Sequence, residues 1–355
     1  MTLDPAALDM SRALDQVSRA VAEWTVDRHA SQDEDLLARY GPGSRRRWVA
    51  DVHVRVRYLS QAIAIQCPEL FAAAVAWSTQ AYMARAVEPA DLETSLTCMI
   101  QVLETELPAV IGEHAAGYVR SGVTRAAAAE PLPPTSIGLD KPHGELVIRY
   151  LDSLLRGERR EAEQLVMAAD RDGVPFRDLY LDVLRPAQIE IGRMWHLDEI
   201  SVADEHFATA TTKSIMSVLR SRTLDGAVNG RRVVATSIEG ELHDLGVRMV
   251  ADFFELNGWR VSYLGANMPN ADIVRCLAEH DAHVLAASVT SFLNIRALAE
   301  LIQAIRAESG SGGVRIVVGG LPCRAVPDLW QRLGADGSAG DAEEAVETAN
   351  RLVGI

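Results

Sequence analysis

The spacing of apolar residues changes near residue 230. Before it, apolar side chains recur every three to four residues, as in "RRWVADVHVRVRYLSQAIAI" and "LFAAAVAWSTQAYMARAV", which places them on one face of a helix. After it, short apolar runs alternate with helical stretches; the runs are "RRVVATS", "RVSYLG", "HVLAASV" and "VRIVVGG". Strands that alternate with helices predict a parallel sheet with helices on both faces.

A proline-rich stretch divides the helical part of the chain. Residues 124–143 contain Pro131, Pro133 and Pro134, which do not fit inside a helix, and alanine–proline stretches commonly serve as semi-rigid linkers. We therefore predict a multidomain α and α/β protein. Its parts are an all-α N-terminal domain (1–123), the linker (124–143), a four-helix bundle (144–226) and a five-stranded doubly wound parallel sheet of Rossmann or flavodoxin type (227–355).

Composition narrows the class of protein. The formal net charge of -14 argues against a nucleic-acid surface, because such a surface needs cations to replace phosphate counterions. The four cysteines have no CxxC spacing, and no apolar run is long enough to span a membrane. The N-terminus has no signal-peptide pattern. We expect a cytoplasmic protein that binds neither nucleic acid nor a membrane directly.

A histidine follows the first predicted strand, in "EGELHDLG". Ligands of doubly wound sheets bind at the carboxyl ends of the strands, where His243 lies. Glu241 can accept the proton of one ring nitrogen and leave the other as a metal ligand, and Gly246 lets the backbone turn closely beneath a ligand. The alternative is that His243 caps the following helix or is an exposed loop residue.

Further small and polar residues end the third and fourth predicted strands. Together with the histidine loop they resemble the motifs of the cobalamin-binding domain family, over roughly residues 144–352. The matching positions are Glu241, His243, Asp244 and Gly246, then Ser288 and Thr290, then Gly319 and Gly320.

That resemblance implies a cobalt cofactor. His243 would be the lower ligand of cobalt, and the nucleotide tail of the cofactor would enter the crevice beside Ser288 and the glycine pair. Most methyl-transferring members of the family have Asp where this chain has Glu241, and this difference favours another branch.

The branch is indicated by "MWHLDEISVADEHF" in the predicted bundle. Trp195 closes one helix while Glu205 and His206 begin the next, so a short reversing loop can bring all three together. Alone, the tryptophan would be core and the Glu-His pair solvated. With the downstream motifs, the stretch resembles the adenosylcobalamin photoreceptors that repress carotenoid genes. The resemblance implies that the three residues surround the 5′-deoxyadenosyl group and that His196 binds cobalt after that group leaves.

The N-terminal domain shows no recognition helix of a DNA reader, so we do not expect DNA repression. It looks loosely like globin-like sensor domains, and the domain order is similar to that of photocobilins, which implies biliverdin or another bilin as second pigment. Haem, held by His53 or His114, is the competing pigment. The bilin-binding candidates are His53, Arg55, Arg57 and Tyr58. The alternative is that these arginines lie in a solvated face and that the aromatic residues belong to the core.

These resemblances imply a cobalamin-dependent photoreceptor and signalling protein rather than an enzyme. Light would break the Co–C bond of adenosylcobalamin, the bundle would rearrange, and His243 and His196 would both bind cobalt. The output would be a change in homo-oligomer or in a light-dependent protein partner. The alternative is a corrinoid methyl-carrier protein of a methyltransferase system, which shares the bundle and the sheet.

Overall fold

The structure, a computed structural model, describes residues 3–127, 134–223, 228–308 and 313–355. Part of the predicted linker, residues 128–133 with Pro131 and Pro133, lies outside the described residues. The predicted boundary between residues 226 and 227 also lies outside them.

The described N-terminal region is helical, as predicted. In its third helix, Val49, Val52, Val56, Leu59 and Ile63 are buried, because their spacing of three and four residues puts them on one face. The helices are α1 (Pro5–Gln32), α2 (Leu36–Arg39), α3 (Ser44–Ala64), α4 (Pro68–Ala84), α5 (Pro89–Glu106) and α6 (Ala109–Ala127).

A second helical region follows. Its first two helices are separated at Gly157, whose φ of +72° is the left-handed conformation that glycine adopts without strain. The hydroxyl of Tyr150 lies 2.7 Å from that of Thr212, which joins the first helix of the region to the last. The helices are α7 (Gly144–Leu155), α8 (Arg159–Arg171), α9 (Phe176–Asp178), α10 (Arg185–His196) and α11 (Val202–Thr223).

A wide π-helical turn, Leu179–Leu184, joins α9 to α10 without a break in the helix. Pro186 lies two residues after the end of this turn, and proline has no N–H with which to continue an ordinary helical ladder. The wide turn accommodates the proline, so residues 176–196 form one continuous helical segment.

The sheet has five parallel strands in the order β2-β1-β3-β4-β5, which confirms the predicted doubly wound topology. At the carboxyl ends, Ser237 of β1 pairs with Ser288 of β3, and Ser288 pairs with Gly319 of β4. The strands are β1 (Arg232–Ser237), β2 (Arg260–Gly265), β3 (Val284–Ser288), β4 (Arg315–Gly319) and β5 (Gly337–Ala339), and the helices are α12 (Leu245–Leu256), α13 (Asn270–Glu279), α14 (Ile295–Ala307), α15 (Leu321–Ala325), α16 (Leu329–Leu333) and α17 (Ala342–Val353).

The two faces of the sheet face different helical regions. Val233 and Val284 belong to a core shared with α7–α11, α12 and α17. Val234 and Leu285, the next residues in the same strands, belong to a core continuous with the N-terminal helices. The alternation of side chains along a strand thus places the sheet between two helical layers. Among the described residues, no helix has the length and apolarity needed to cross a membrane.

Polar contacts hold the N-terminal helices against the sheet region. Arg296 of α14 pairs with Asp15 at 2.7 Å, and its backbone N–H donates to Gln61 at 2.9 Å. Arg332 of α16 pairs with Glu69 at 3.0 Å. The N-terminal region therefore lies beside the loop that follows β3.

Candidate functional site

The loop after β1 presents His243 to solvent. Its backbone is held at both ends, since the Ser237 hydroxyl donates to the His243 carbonyl at 2.9 Å and the Gly240 N–H donates to Asn267 Oδ1 at 2.8 Å. Gly240 has φ +81°, which favours glycine there. The His243 side chain is 65% exposed. The loop thus holds an accessible imidazole beside a buried strand end.

Glu241 is fully buried beneath that imidazole. Its Oε1 accepts hydrogen bonds from Nδ1 of His243 at 2.5 Å and from the backbone N–H of the same residue at 3.0 Å. Its Oε2 accepts from the backbone N–H groups of Thr290 and Ser291, both at 2.8 Å, and from Asn294 Nδ2 at 3.3 Å. Burial alone would raise the pKa of Glu241, but these hydrogen bonds outweigh it and lower the pKa to about 2.

The ionised carboxylate determines the tautomer of His243. Since Glu241 can only accept, Nδ1 carries the proton, and the exposed Nε2 keeps its lone pair in the neutral ring. The hydrogen bond to Glu241 raises the pKa of His243, although burial opposes this. A histidine whose second nitrogen is held by a carboxylate is the usual arrangement of a metal-binding imidazole.

This donor set suits a metal that brings its other ligands with it. In the part of the chain that the structure describes, no group of three or more His, Cys, Asp or Glu side chains could hold an ion. One exposed imidazole nitrogen offers a single axial position. The described residues could therefore supply one ligand only, which fits a metal that carries its other ligands with it.

A cavity of about 310 Å³ extends from the start of α12 to the carboxyl ends of β3 and β4. Gln188 and Ile189 of α10 line its opposite wall. The cavity therefore brings together the cofactor-binding candidates of three separate strand ends. They are Gly246, Ser288, Thr290, Gly319 and Gly320.

Neighbouring backbone leaves no room for a side chain at Gly319 or Gly320, and both glycines also line the cavity. Gly320 has φ +116°, and a Cβ there would lie 1.8 Å from the Val289 carbonyl oxygen. A Cβ on Gly319 would lie 2.8 Å from the Ala339 carbonyl oxygen. A Cβ on Gly246 would meet nothing within 4 Å, so that position is open.

The three proposed cap residues lie at the turn between α10 and α11. Trp195 is 38% exposed, which is unusual for so large an apolar side chain. Glu205 accepts from the Thr209 hydroxyl at 2.8 Å, and its charge contributes to raising the pKa of His243. The side chain of His206 is 75% exposed. The structure thus brings Glu205 near His243.

Asp244 and His196 have other partners. Asp244 accepts from the Tyr263 hydroxyl at 2.9 Å and pairs with Lys213 of α11, so its carboxylate links the loop to the helices. His196 is only 7% exposed, and its Nε2 donates to the carbonyl of Trp77 in α4 at 2.9 Å. Burial lowers the pKa of His196. In this arrangement the nitrogen proposed to bind cobalt is already occupied.

The four bilin-binding candidates are not brought together. His53 lies 3.1 Å from Ser18 of α1, whereas Arg55 is buried and donates to a hydroxyl of α5 at 3.0 Å. Tyr58 packs on the turn after β3, and Arg57 is exposed.

Ser291 and Asn294 were not predicted as site residues from the sequence. Both donate to Glu241, and the Ser291 hydroxyl also caps the 3₁₀ turn Phe292–Asn294 by accepting from Leu293. A serine three residues after the end of β3, followed three residues later by asparagine, was the available signal. Its target, fifty residues earlier in the chain, was not visible in the sequence.

Two family models match the chain. Residues 231–350 match the B12 binding domain, and residues 147–220 match a second model that is also described as a B12 binding domain. The sheet, the histidine loop and the helices α7–α11 therefore form B12 binding domains. The expectation drawn from the strand-end motifs is confirmed at this level.

The curated relatives that this chain resembles include several corrinoid proteins. A corrinoid protein of Desulfitobacterium hafniense is 27% identical over 46% of this chain and 77% of its own length. Monomethylamine corrinoid protein 2 of Methanosarcina acetivorans is 26% identical over 54% of this chain and 89% of its own. Dimethylamine corrinoid protein 3 of the same organism is 28% identical over 59% and 97%. The chain is a homologue of corrinoid proteins.

A solved structure shows the same fold. The monomethylamine corrinoid protein of Methanosarcina barkeri superposes with a TM-score of 0.55 at 22% identity, over 59% of this chain and all of that one.

Proposed function

We propose that this protein binds a cobalamin, with Nε2 of His243 as the lower ligand of cobalt. The observation that carries the proposal is the Glu241–His243 pair, in which a buried carboxylate holds Nδ1 at 2.5 Å and leaves Nε2 exposed. Glu241 keeps the proton on Nδ1, so the ring binds metal as a neutral ligand with increased basicity. The cavity beside Ser288 and the glycine pair suits the nucleotide tail of the cofactor.

The role that we propose first is that of a corrinoid methyl carrier in a methyltransferase system. When bound, the cobalt supplies a carbon–metal bond that can be formed and broken. The residues of this chain would hold the lower face through His243, anchor the tail in the cavity, and cover the upper face with the turn between α10 and α11. Similarity to the monomethylamine and dimethylamine corrinoid proteins supports this role.

A second role, light sensing with adenosylcobalamin, is favoured by one specific observation. Trp195 offers a half-exposed indole at the end of α10, and Glu205 of the same turn lies near His243. An apolar ring and a carboxylate suit an adenosyl group better than a methyl group, because adenosine has both a flat base and ribose hydroxyls. In this role residues 144–226 would be a four-helix cap, and His196 would have to leave Trp77 before it could bind cobalt.

In the light-sensing role, residues 1–123 would be a globin-like sensor domain that holds a second pigment. A bilin has less support than cobalamin, since its four candidate side chains contact separate elements. Haem has no better support, because His53 lies against Ser18 and His114 is exposed.

Loading the apoprotein with methylcobalamin and with adenosylcobalamin tests both roles. A carrier should bind methylcobalamin and keep its size in solution under green light. A light sensor should bind adenosylcobalamin more tightly than methylcobalamin and change its size after illumination, and Trp195→Ala should abolish that preference. Failure to bind either corrinoid would overturn the proposed function itself.

A further inference from the structure

Two arginines line the candidate tail cavity. Arg185 begins α10, and Arg324 lies in α15 directly beyond the glycine pair. Most of the remaining wall consists of apolar side chains and glycines. Two guanidinium groups thus border a mostly apolar cavity, in a protein whose net charge is -14.

Neither guanidinium is neutralised by a carboxylate. Arg185 donates to the Gly340 carbonyl at 3.3 Å, and no ion pair involves Arg185 or Arg324 among the described residues. The carboxylate that lines the cavity, Asp341, instead accepts from the Glu344 N–H at 2.9 Å as the cap of α17. Burial lowers the pKa of Arg324, and the positive charge of Arg185 lowers it further.

We propose that Arg185 and Arg324 together bind the phosphodiester of the cobalamin nucleotide tail. The pair would thereby make the protein select complete cobalamins over corrinoids that lack the tail. Guanidinium groups suit this role because they form charge-assisted hydrogen bonds to phosphate oxygens. The inference rests on the proposed function, since it assigns a ligand to the cavity beside His243.

The test compares two corrinoids that differ in the tail. Hydroxocobalamin and cobinamide, which lacks the nucleotide and its phosphodiester, are titrated into the full-length apoprotein and into Arg185→Gln and Arg324→Gln. Arg231→Gln is the matched control, because Arg231 also donates to a backbone carbonyl, that of Val353, but lies at the opposite end of β1. Inorganic phosphate is added as a competitor in a separate series.

Each cavity variant should bind hydroxocobalamin roughly 5- to 30-fold more weakly, the range for a partly exposed charge-assisted contact. Cobinamide affinity should not change, and Arg231→Gln should match the unaltered protein for both ligands. Phosphate should compete with hydroxocobalamin in the unaltered protein and much less in Arg185→Gln and Arg324→Gln.

Three results would contradict the inference. Unchanged hydroxocobalamin affinity in both variants would show that the arginines do not contact the tail. Equal losses for hydroxocobalamin and cobinamide would show a general effect on the site. If the unaltered protein binds cobinamide as tightly as hydroxocobalamin, the cavity does not recognise the nucleotide tail. That result would leave the proposed function intact. Binding of neither corrinoid would instead overturn the proposed function.

Discussion

The imidazole of His196 stacks on the indole of Trp77, with ring centroids 4.1 Å apart and an interplanar angle of 23°. Its Nε2 donates to the Trp77 carbonyl at 2.9 Å. The contact joins the end of α10, one residue after Trp195, to helix α4 of the N-terminal region. The Trp77 ring also lies 6.4 Å from that of Phe292, in the turn whose neighbouring Ser291 holds Glu241. Any movement of the turn after α10 must therefore disturb the N-terminal helices.

Replacing His196 should weaken this junction. We expect His196→Ala to lower the free energy of unfolding by about 1–2 kcal/mol, because it removes a buried hydrogen bond and an aromatic contact. Urea unfolding measures the change. His206→Ala, at an exposed position ten residues later, should stay within about 0.5 kcal/mol. Equal stability of the two variants would show that the stacking contributes little.

Replacing Glu241 should change both stability and the titration of His243. In Glu241→Gln, an amide NH2 must face N–H donors, so we expect a loss of about 3 kcal/mol in the free energy of unfolding. The pKa of His243 should fall, because its raised value depends first on Glu241. NMR titration of histidine ring protons measures it, with His243→Ala identifying the resonance. A His243 pKa that is the same in both proteins would contradict the geometry of the pair.

The burial of Asp252 in α12, where it accepts a hydrogen bond from Tyr180 of the π turn, should make stability depend on pH. Burial raises the pKa of Asp252 to about 6, although the hydrogen bond from the Tyr180 hydroxyl at 2.8 Å opposes the shift. The folded state therefore binds a proton that the unfolded state has already lost, and this stabilisation disappears as pH rises through 6.

We compare the protein with Asp252→Asn, which cannot titrate. From pH 4.5 to 7.5, the free energy of unfolding of the unaltered protein should fall by about 2 kcal/mol relative to the variant. In Tyr180→Phe the decline should occur at higher pH, because the opposing hydrogen bond is gone. A difference that does not vary with pH would show that Asp252 stays ionised in the fold.

Two glycines of the cavity should respond differently to alanine. Gly320→Ala should cost about 3 kcal/mol or more, because both the positive φ and the Val289 carbonyl reject a Cβ. Gly246→Ala should leave the melting temperature equal or higher, since the position is open and alanine favours helix. It should nevertheless weaken cobalamin binding by filling the cavity. Thermal unfolding and corrinoid titration together separate the two effects; a stable Gly320→Ala protein would contradict the assigned geometry.

Local pattern was enough to predict the strands and the histidine loop. Strand β1 is a short apolar run, and His243 follows it within the same loop, so both are visible in a few consecutive residues. The hydrogen bonds of Ser291 and Asn294 to Glu241 were not visible, because they depend on how two strand ends meet. The glycine pair was expected to lie beside the nucleotide tail, and only the neighbouring backbone shows why Gly320 excludes a side chain.

Contacts between distant regions were the least predictable. The sequence places His196 directly after Trp195 and so suggests that both face the cofactor, but consecutive helical residues point about 100° apart. Trp195 is half exposed while His196 is buried against α4. The direction of that burial depends on the docking of the N-terminal helices, for which the chain carries no short motif.

The claim that cobalt is bound by His243 is tested most directly by electron paramagnetic resonance of the protein loaded with cob(II)alamin. One sample carries ordinary histidine and another carries 15N-histidine, because the nitrogen isotope changes the superhyperfine splitting of an axial nitrogen ligand. We expect the triplet of the ordinary sample to become a doublet on labelling, and to lose this isotope dependence in His243→Ala. A triplet that persists in the labelled protein would show that the cofactor keeps its own base as the lower ligand, and would contradict the account.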